Sequence, residues 1–193
     1  SSKLIHSFLN FFSPNVCMRW SDVKRPIVCL APMDGVTNTA YRQIVRRLNP
    51  EVILFSEFTS VDGLVRSERV RTKLDYDPSE QPLFMQLFGN NPQMFAEAAK
   101  MVEQRGMMGV DINMGCPAKK IVHSQHGSAL MKDPDTACRI IESIRNNCGL
   151  QVSVKTRLGW KNEDGLIDFC LPPSPLLLSS SPPPLSRDRS LYM

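Results

Sequence analysis

In the stretch DINMGCPAKK, residues 111–120, Asn113 and Cys116 stand three residues apart around Gly115, with Pro117 following. A Gly-Cys-Pro junction is a poor way to extend a strand, because Gly adds no packing surface and Pro cannot donate to a ladder. It is a reasonable way to present a side chain at a strand's end. A free thiol with a pKa of about 8.5 is roughly 97% protonated at neutral pH and can serve as a general acid without tuning. Use as a nucleophile would require a base to depress that pKa, and no His adjoins Cys116 in the sequence. Proton donation is therefore the favoured chemistry, against the plainer role of a small buried hydrophobe.

Other groups of useful chemistry recur at comparable places: Pro32 and Met33, Glu57, Gln86, Lys155 and Arg157. A Lys inside VSVKTR, between residues that a strand should bury, calls for an anionic partner. Gln86 is either a satisfied core amide or a ligand contact. Glu57 suits a structural hydrogen bond equally well. Metal chemistry is not expected, because the cysteines at 17, 29, 116, 138, 148 and 170 contain no C-x-x-C pair and His123 with His126 has no further ligands nearby. The same scatter argues against a disulfide framework and for a reducing compartment, the cytoplasm.

The elements that must carry these residues alternate along the chain. Apolar runs at 27–33, 51–58, 82–89, 108–115 and 150–157 predict five strands. Tyr41, Ile44, Val45 and Leu48 give a helical stripe after the first, and 60–74 is a polar, basic segment of helical character. The helix after the third strand is well punctuated, with Asn91 as cap, Pro92 at the first position, Phe95, Ala98, Ala99 and Val102 as the buried face, and Gly106 as the stop. Its counterpart after the fourth has Asp133, Pro134, then Ala137, Ile140, Ile141, Ile144 and a terminating Gly149. The segment EDGLIDFC suggests a fifth helix.

Strands alternating with helices imply parallel pairing, either in an open doubly wound sheet or at the start of a (β/α)8 barrel. The first strand-to-helix turn, PMDGVTN, lacks both G-x-G-x-x-G and a P-loop pattern, which lowers the nucleotide-binding open sheet. Reactive groups in or just after every one of the five strands fit a barrel, whose sites are built at the strands' C-terminal ends. The expected fold is thus α/β, the N-terminal part (about five βα units) of a TIM (β/α)8 barrel over 26–170.

Residues 1–25 read as a leader, disordered or targeting. SKLIHSFLNFF is apolar and acid-poor, a faint likeness to a transit peptide that makes a mitochondrial address the alternative, and too short to span a bilayer. From Leu171 to Met193 the chain is dominated by Pro, Ser and Leu without helical or strand period, and reads as a disordered tail. The net charge of +4 fits an anionic partner. Arg42, Arg46, Arg47, Arg66, Arg69, Arg71, Lys119 and Lys120 are candidates for phosphate contacts, the last two favoured because they adjoin the Cys116 loop.

Taken together, APMDGVTNTAYR, FSEF, MQLFG, DINMGCPAKK with a downstream GSALM, and VKTRLGW resemble, in order and spacing, the tRNA-dihydrouridine synthases, most closely the bacterial-type members. The likeness covers about residues 26–162. It implies a flavoenzyme on a (β/α)8 barrel that reduces the C5=C6 bond of uridine in tRNA, using FMN reduced by NADPH or NADH. Carried onto this sequence, Cys116 is the proton donor. Pro32, Met33 and Asp34 form the first flavin-contacting turn, Gln86 contacts the flavin, and Lys155 stands at its polar edge, where a cation favours the reduced ring. Asn113 lies against the pyrimidine, and Arg157 is taken with it as substrate-binding. A target base must leave its stack to reach such a site.

A whole barrel needs about 250 residues, and the resemblance stops after the fifth strand. The later strands, a histidine-bearing loop and a helical tRNA-gripping domain are expected to be missing. An unclosed arc exposes two edges and the inner face of its sheet, so the chain alone is expected to fold poorly and not to retain FMN. Two other readings remain at this point: a flavin barrel acting on free pyrimidines, against which NMGCPAKK argues, and a truncated non-catalytic product that binds RNA or a partner.

Overall fold

The computed structural model describes Trp20, residues 23–118 and 124–157, and the backbone of residues 191–192. A parallel sheet runs β1 (Cys29–Leu30), β2 (Ile53–Phe55), β4 (Leu83–Phe88), β5 (Gly109–Asn113), β6 (Gln151–Lys155), β7 (Leu191–Tyr192), with a short β3 (Thr59–Ser60) beside the end of β4. β1, β2, β4, β5 and β6 each lie inside one of the five apolar runs, whereas the two-residue strands β3 and β7 do not. β1 stops before Ala31-Pro32, where a ladder donor is lost.

The helices are α1 (Thr39–Leu48), α2 (Val61–Arg66), α3 (Glu68–Arg71), α4 (Pro92–Gln104) and α5 (Pro134–Arg145). Asn91 caps α4 through the amides of Gln93 and Met94, and Asp133 caps α5 through Thr136, each followed by Pro at the first helical position. Gly106 closes α4 at φ +75°, a conformation costly to any residue with a Cβ. Gly149 does not end α5, which stops at Arg145 with Asn146 as cap; the Gly149 amide instead donates to Glu103 of α4. The basic segment 60–74 is broken into α2, α3 and a 3-10 turn (Thr72–Leu74), because Ser67 interrupts it in extended backbone. The segment proposed as a fifth helix lies outside the described residues.

Two faces of the sheet differ in kind. Leu54, Leu83, Met85, Leu87, Val110 and Ile112 point to the helices and form the main core with Val61, Leu64, Phe95, Ala98, Ala99, Val102, Ile140 and Ile144. On the other face Ile53, Phe55 and Phe84 form a second cluster with Trp20, Ile27 and Cys29. The rings of Trp20 and Phe55 stack on Phe84 with centroids 5.1 and 5.3 Å away. Gly109 sits under this stack, since a Cβ there would lie 2.3 Å from the Phe84 ring and 2.5 Å from the Gln151 carbonyl. Neighbouring strands in chain order, with one helix-packed core, give the arrangement of part of a barrel rather than of a doubly wound sheet, where helices cover both faces.

α1 departs from its sequence pattern. Its stripe residues Tyr41, Ile44 and Leu48 are exposed, Leu48 to 81%, while Arg42 is the buried one. Arg42 is drawn inward by Glu80, fully buried itself, with Nε 2.5 Å from the carboxylate and a second bond from its guanidinium to the Thr37 carbonyl. Thr39 also donates to Glu80. Arg46 donates to the carbonyls of Pro50 and Glu80, and Arg71 to those of Leu64 and Val65. These three arginines staple backbone and are unsuited to the phosphate contacts proposed for them. Lys119 and Lys120 lie outside the described residues.

Candidate functional site at the strand ends

Register decides which of the candidate residues meet. Gln86, Asp111 and Ser153 are paired across β4, β5 and β6, and Asn113 is paired with Lys155 one pleat further on. Side chains two apart on a strand share a face, so these five groups share one wall above the Phe84 stack.

They are tied together by hydrogen bonds. Ser153 Oγ donates to Asp111 Oδ1 at 2.7 Å and Gln86 Nε2 to Asp111 Oδ2 at 2.6 Å. Asn113 Nδ2 donates to Gln86 Oε1 at 3.1 Å. The remaining end of Asn113, Oδ1, accepts the backbone amides of Gly115 at 3.2 Å and Cys116 at 3.0 Å. The loop is also held by Met114 donating to the Lys155 carbonyl and by Ser128 donating to the Cys116 carbonyl. Cys116 emerges half-buried, and Pro117 and Ala118 exposed.

Asp111 is fully buried, and that burial pushes its carboxyl up to about 6, against the opposing pull of the Ser153 and Gln86 hydrogen bonds and the charge of Lys155. Lys155 is half-buried and makes no ion pair within 4 Å among the described residues. The amide nitrogens of Gln86 and Asn113 each donate once among the described residues, so each holds a second hydrogen. The wall thus carries a cation and two N–H groups on the face of the Phe84 stack, Gln86 and Asn113 both buried, with the Cys116 loop at its end.

The first turn joins this wall from the side. Met33 and Thr37 exchange bonds, the Met33 amide donating to Thr37 Oγ1 at 3.0 Å and that hydroxyl donating back to the Met33 carbonyl. Gly35, at φ +74°, donates its amide to Glu57 Oε1 at 2.7 Å, and Lys73 reaches the other oxygen of Glu57 at 3.3 Å. Glu57 therefore anchors the first turn at Gly35, the structural one of the two roles left open for it. The neighbouring Ser56 Oγ accepts the backbone N–H of Gln86, linking this turn's support to the wall. Pro32 is half-buried, whereas Met33, Asp34 and Arg157 are exposed. Arg157 follows β6 and its side chain passes close to Gly115, at the outer lip of the Cys116 loop.

Sequence reasoning passed over Asp111, Ser153, Ser56, Thr37 and Glu80. For Asp111 a signal exists: an acid inside GVDIN, two residues before Asn113, must share that residue's face. His126 packs its ring against Phe88 at 5.8 Å, and burial lowers its pKa against the pull of Asp62. His123 lies outside the described residues. Among the described residues no group of three or more His, Cys, Asp or Glu could hold a metal ion, and no helix is long and apolar enough to cross a membrane.

The family model described as Dihydrouridine synthase (Dus) matches residues 29–171. The chain belongs to the dihydrouridine synthase family. Among its relatives are proteins named probable tRNA-dihydrouridine synthase from Staphylococcus aureus (strain COL), 36% identical over 153 residues, and Staphylococcus epidermidis (strain ATCC 12228 / FDA PCI 1200), 37% identical over 153. Each match takes in 78% of this chain, but only 46% and 47% of the relative. A probable tRNA-dihydrouridine synthase 1 from Synechocystis sp. is 38% identical over 142 residues, 74% of this chain and 39% of its own length. As a dihydrouridine synthase family member, the chain spans about half the length of the curated relatives it matches.

Proposed function

We propose that this chain carries the proton-donating part of an FMN-dependent tRNA-dihydrouridine synthase, and that its sheet is the first five main strands of an eight-stranded barrel. Reduction of the uridine C5=C6 bond adds a hydride to one carbon and a proton to the other. Bound FMN, reduced by NADPH or NADH, supplies the hydride. Cys116 gives its proton to the second carbon and is left as a thiolate, which its half-buried position allows to regain a proton from water at the rim.

The remaining residues bind and orient. Lys155 would set its charge against the polar edge of a bound flavin, and Gln86 would supply its second N–H to it. The turn Pro32, Met33, Asp34 would contact it from the end of the first strand. Asn113 offers its remaining N–H to an acceptor on the pyrimidine, and Arg157, at the outer lip, meets the tRNA backbone.

The single observation that carries this reading is the suspension of the Cys116 backbone from Asn113, on the wall shared with Gln86 and Lys155. The relatives are about twice as long as the stretch they share with this chain, and that supports activity only with the rest of the relatives' length. The test is a chimera in which residues 29–157 replace the matching segment of the staphylococcal relative. With FMN, NADPH and unmodified tRNA it should produce dihydrouridine, detected by the mass gain of two hydrogens. The 193-residue chain alone should give none. A chimera that forms dihydrouridine equally well with Cys116→Ala would overturn the assignment, and preference for free uracil over tRNA would favour the free-pyrimidine alternative.

A further inference from the structure

We propose that Asp111 is the positioning residue of the site: as the terminal acceptor of the hydrogen-bond chain, it fixes how the Gln86 and Asn113 amides are turned and, through them, where the Cys116 loop sits. The catalytic consequence rests on the reading of Cys116 as proton donor; the effect on the loop does not.

The argument lies in donor and acceptor types. An ionised carboxylate only accepts, and a backbone N–H only donates. Asp111 is at one end of the chain and the amides of Gly115 and Cys116 are at the other. Two carboxamides lie between, each with one donating and one accepting end. Only one pair of orientations satisfies both ends: Gln86 Nε2 toward Asp111, then Asn113 Nδ2 toward Gln86 Oε1, then Asn113 Oδ1 toward the loop. Turning either amide brings like atoms face to face.

Removing the acceptor at 111 leaves Gln86 Nε2 as a donor without a partner in a side chain only 1% exposed. Such a group is costly to leave unmet. Gln86 then turns or moves off Asn113, and Asn113 is released from its hold on the loop. Ser153 makes the device tolerant: its hydroxyl can either donate or accept. When Asp111 is protonated, or replaced by Asn, Ser153 can accept from the new donor while the other oxygen still receives Gln86.

The test compares Asp111→Leu, which keeps the branched shape in a somewhat larger side chain and removes the acceptor, with Asp111→Asn, which keeps one. Hydrogen exchange of the peptide spanning residues 113–118, and the rate of Cys116 alkylation by iodoacetamide resolved by mass spectrometry, are measured in the 193-residue chain and in the chimera. Asp111→Leu should speed exchange at Gly115 and Cys116 about tenfold, the worth of one net hydrogen bond, while the α4 peptide keeps its protection. Asp111→Asn should stay close to the parent. In the chimera Asp111→Leu should lower kcat about tenfold with KM for tRNA little changed, and Asp111→Asn should restore it. Unchanged loop exchange in a folded Asp111→Leu protein would overturn the proposal, as would equal disturbance by Leu and Asn. A chimera that makes no dihydrouridine with Asp111 and Cys116 intact would instead count against the proposed function, leaving the loop measurement to decide this inference.

Discussion

The Oδ1 atom of Asn113 accepts the backbone amide of Cys116 at 3.0 Å, while Nδ2 of the same side chain donates to Gln86 at 3.1 Å. One carboxamide therefore spans two elements, a strand interior and the loop that presents the thiol. Asn113→Ala should lower dihydrouridine formation by the chimera about 100-fold, more than the loss of one neutral hydrogen bond would give, because it leaves three partners unmet. Steady-state rates with tRNA check this, alongside FMN retention.

Cys116→Ala should reduce turnover by about 10²–10⁴-fold, the usual contribution of a positioned acid. FMN retention should be unaffected, since the thiol is not called on to hold the cofactor. Flavin absorbance after gel filtration, together with the rate of tRNA reduction, separates the two.

What could be read from the chain order was whatever depends on near neighbours. Asn91-Pro92 and Asp133-Pro134 located two helices because a cap satisfies amides only two or three residues away. The hydrogen bond from Cys116 to Asn113 is just as local, spanning three residues. The pairing of Gln86 with Asp111, and of Asp111 with Ser153, is a matter of register between strands 25 and 42 residues apart in sequence, and no local pattern states it. Arg42 was misread as a surface cation because its partner, Glu80, is 38 residues away. The apolar stripe of α1 marked a helix correctly but not a covered face.

Asp111 should make stability depend on pH. Its carboxyl holds a proton more tightly in the fold, at about 6, than the usual 3.8. The folded state is therefore favoured by this group below pH 4. It loses up to about 3 kcal/mol as pH rises from 4 to 6, with little change above that. Asp111→Asn removes the dependence. The midpoint of urea unfolding, followed from pH 4 to 7, should rise for Asp111→Asn relative to the parent.

Glu57→Ala should weaken FMN binding to the chimera by about 10–100-fold, because the Gly35 amide loses a charged acceptor and the first turn its anchor. Glu57→Gln, which can still accept from Gly35, should recover most of the affinity. Fluorescence titration of FMN reports both.

Breaking the Arg42–Glu80 pair from one side should cost about 3–5 kcal/mol, since the partner's charge is left in the interior. Arg42→Met combined with Glu80→Leu should destabilise less than either Arg42→Met or Glu80→Leu alone. Urea denaturation of the single and double variants measures the coupling.

The stacked rings of Trp20, Phe84 and Phe55 lie at the opposite end of the strands from Cys116. Packed rings there leave that end of the face apolar, so the hydrogen-bonded side chains on it, Gln86, Asp111, Asn113 and Ser153, all lie on the Cys116 side of the stack. Polar chemistry on this face is thereby confined to one end of the strands.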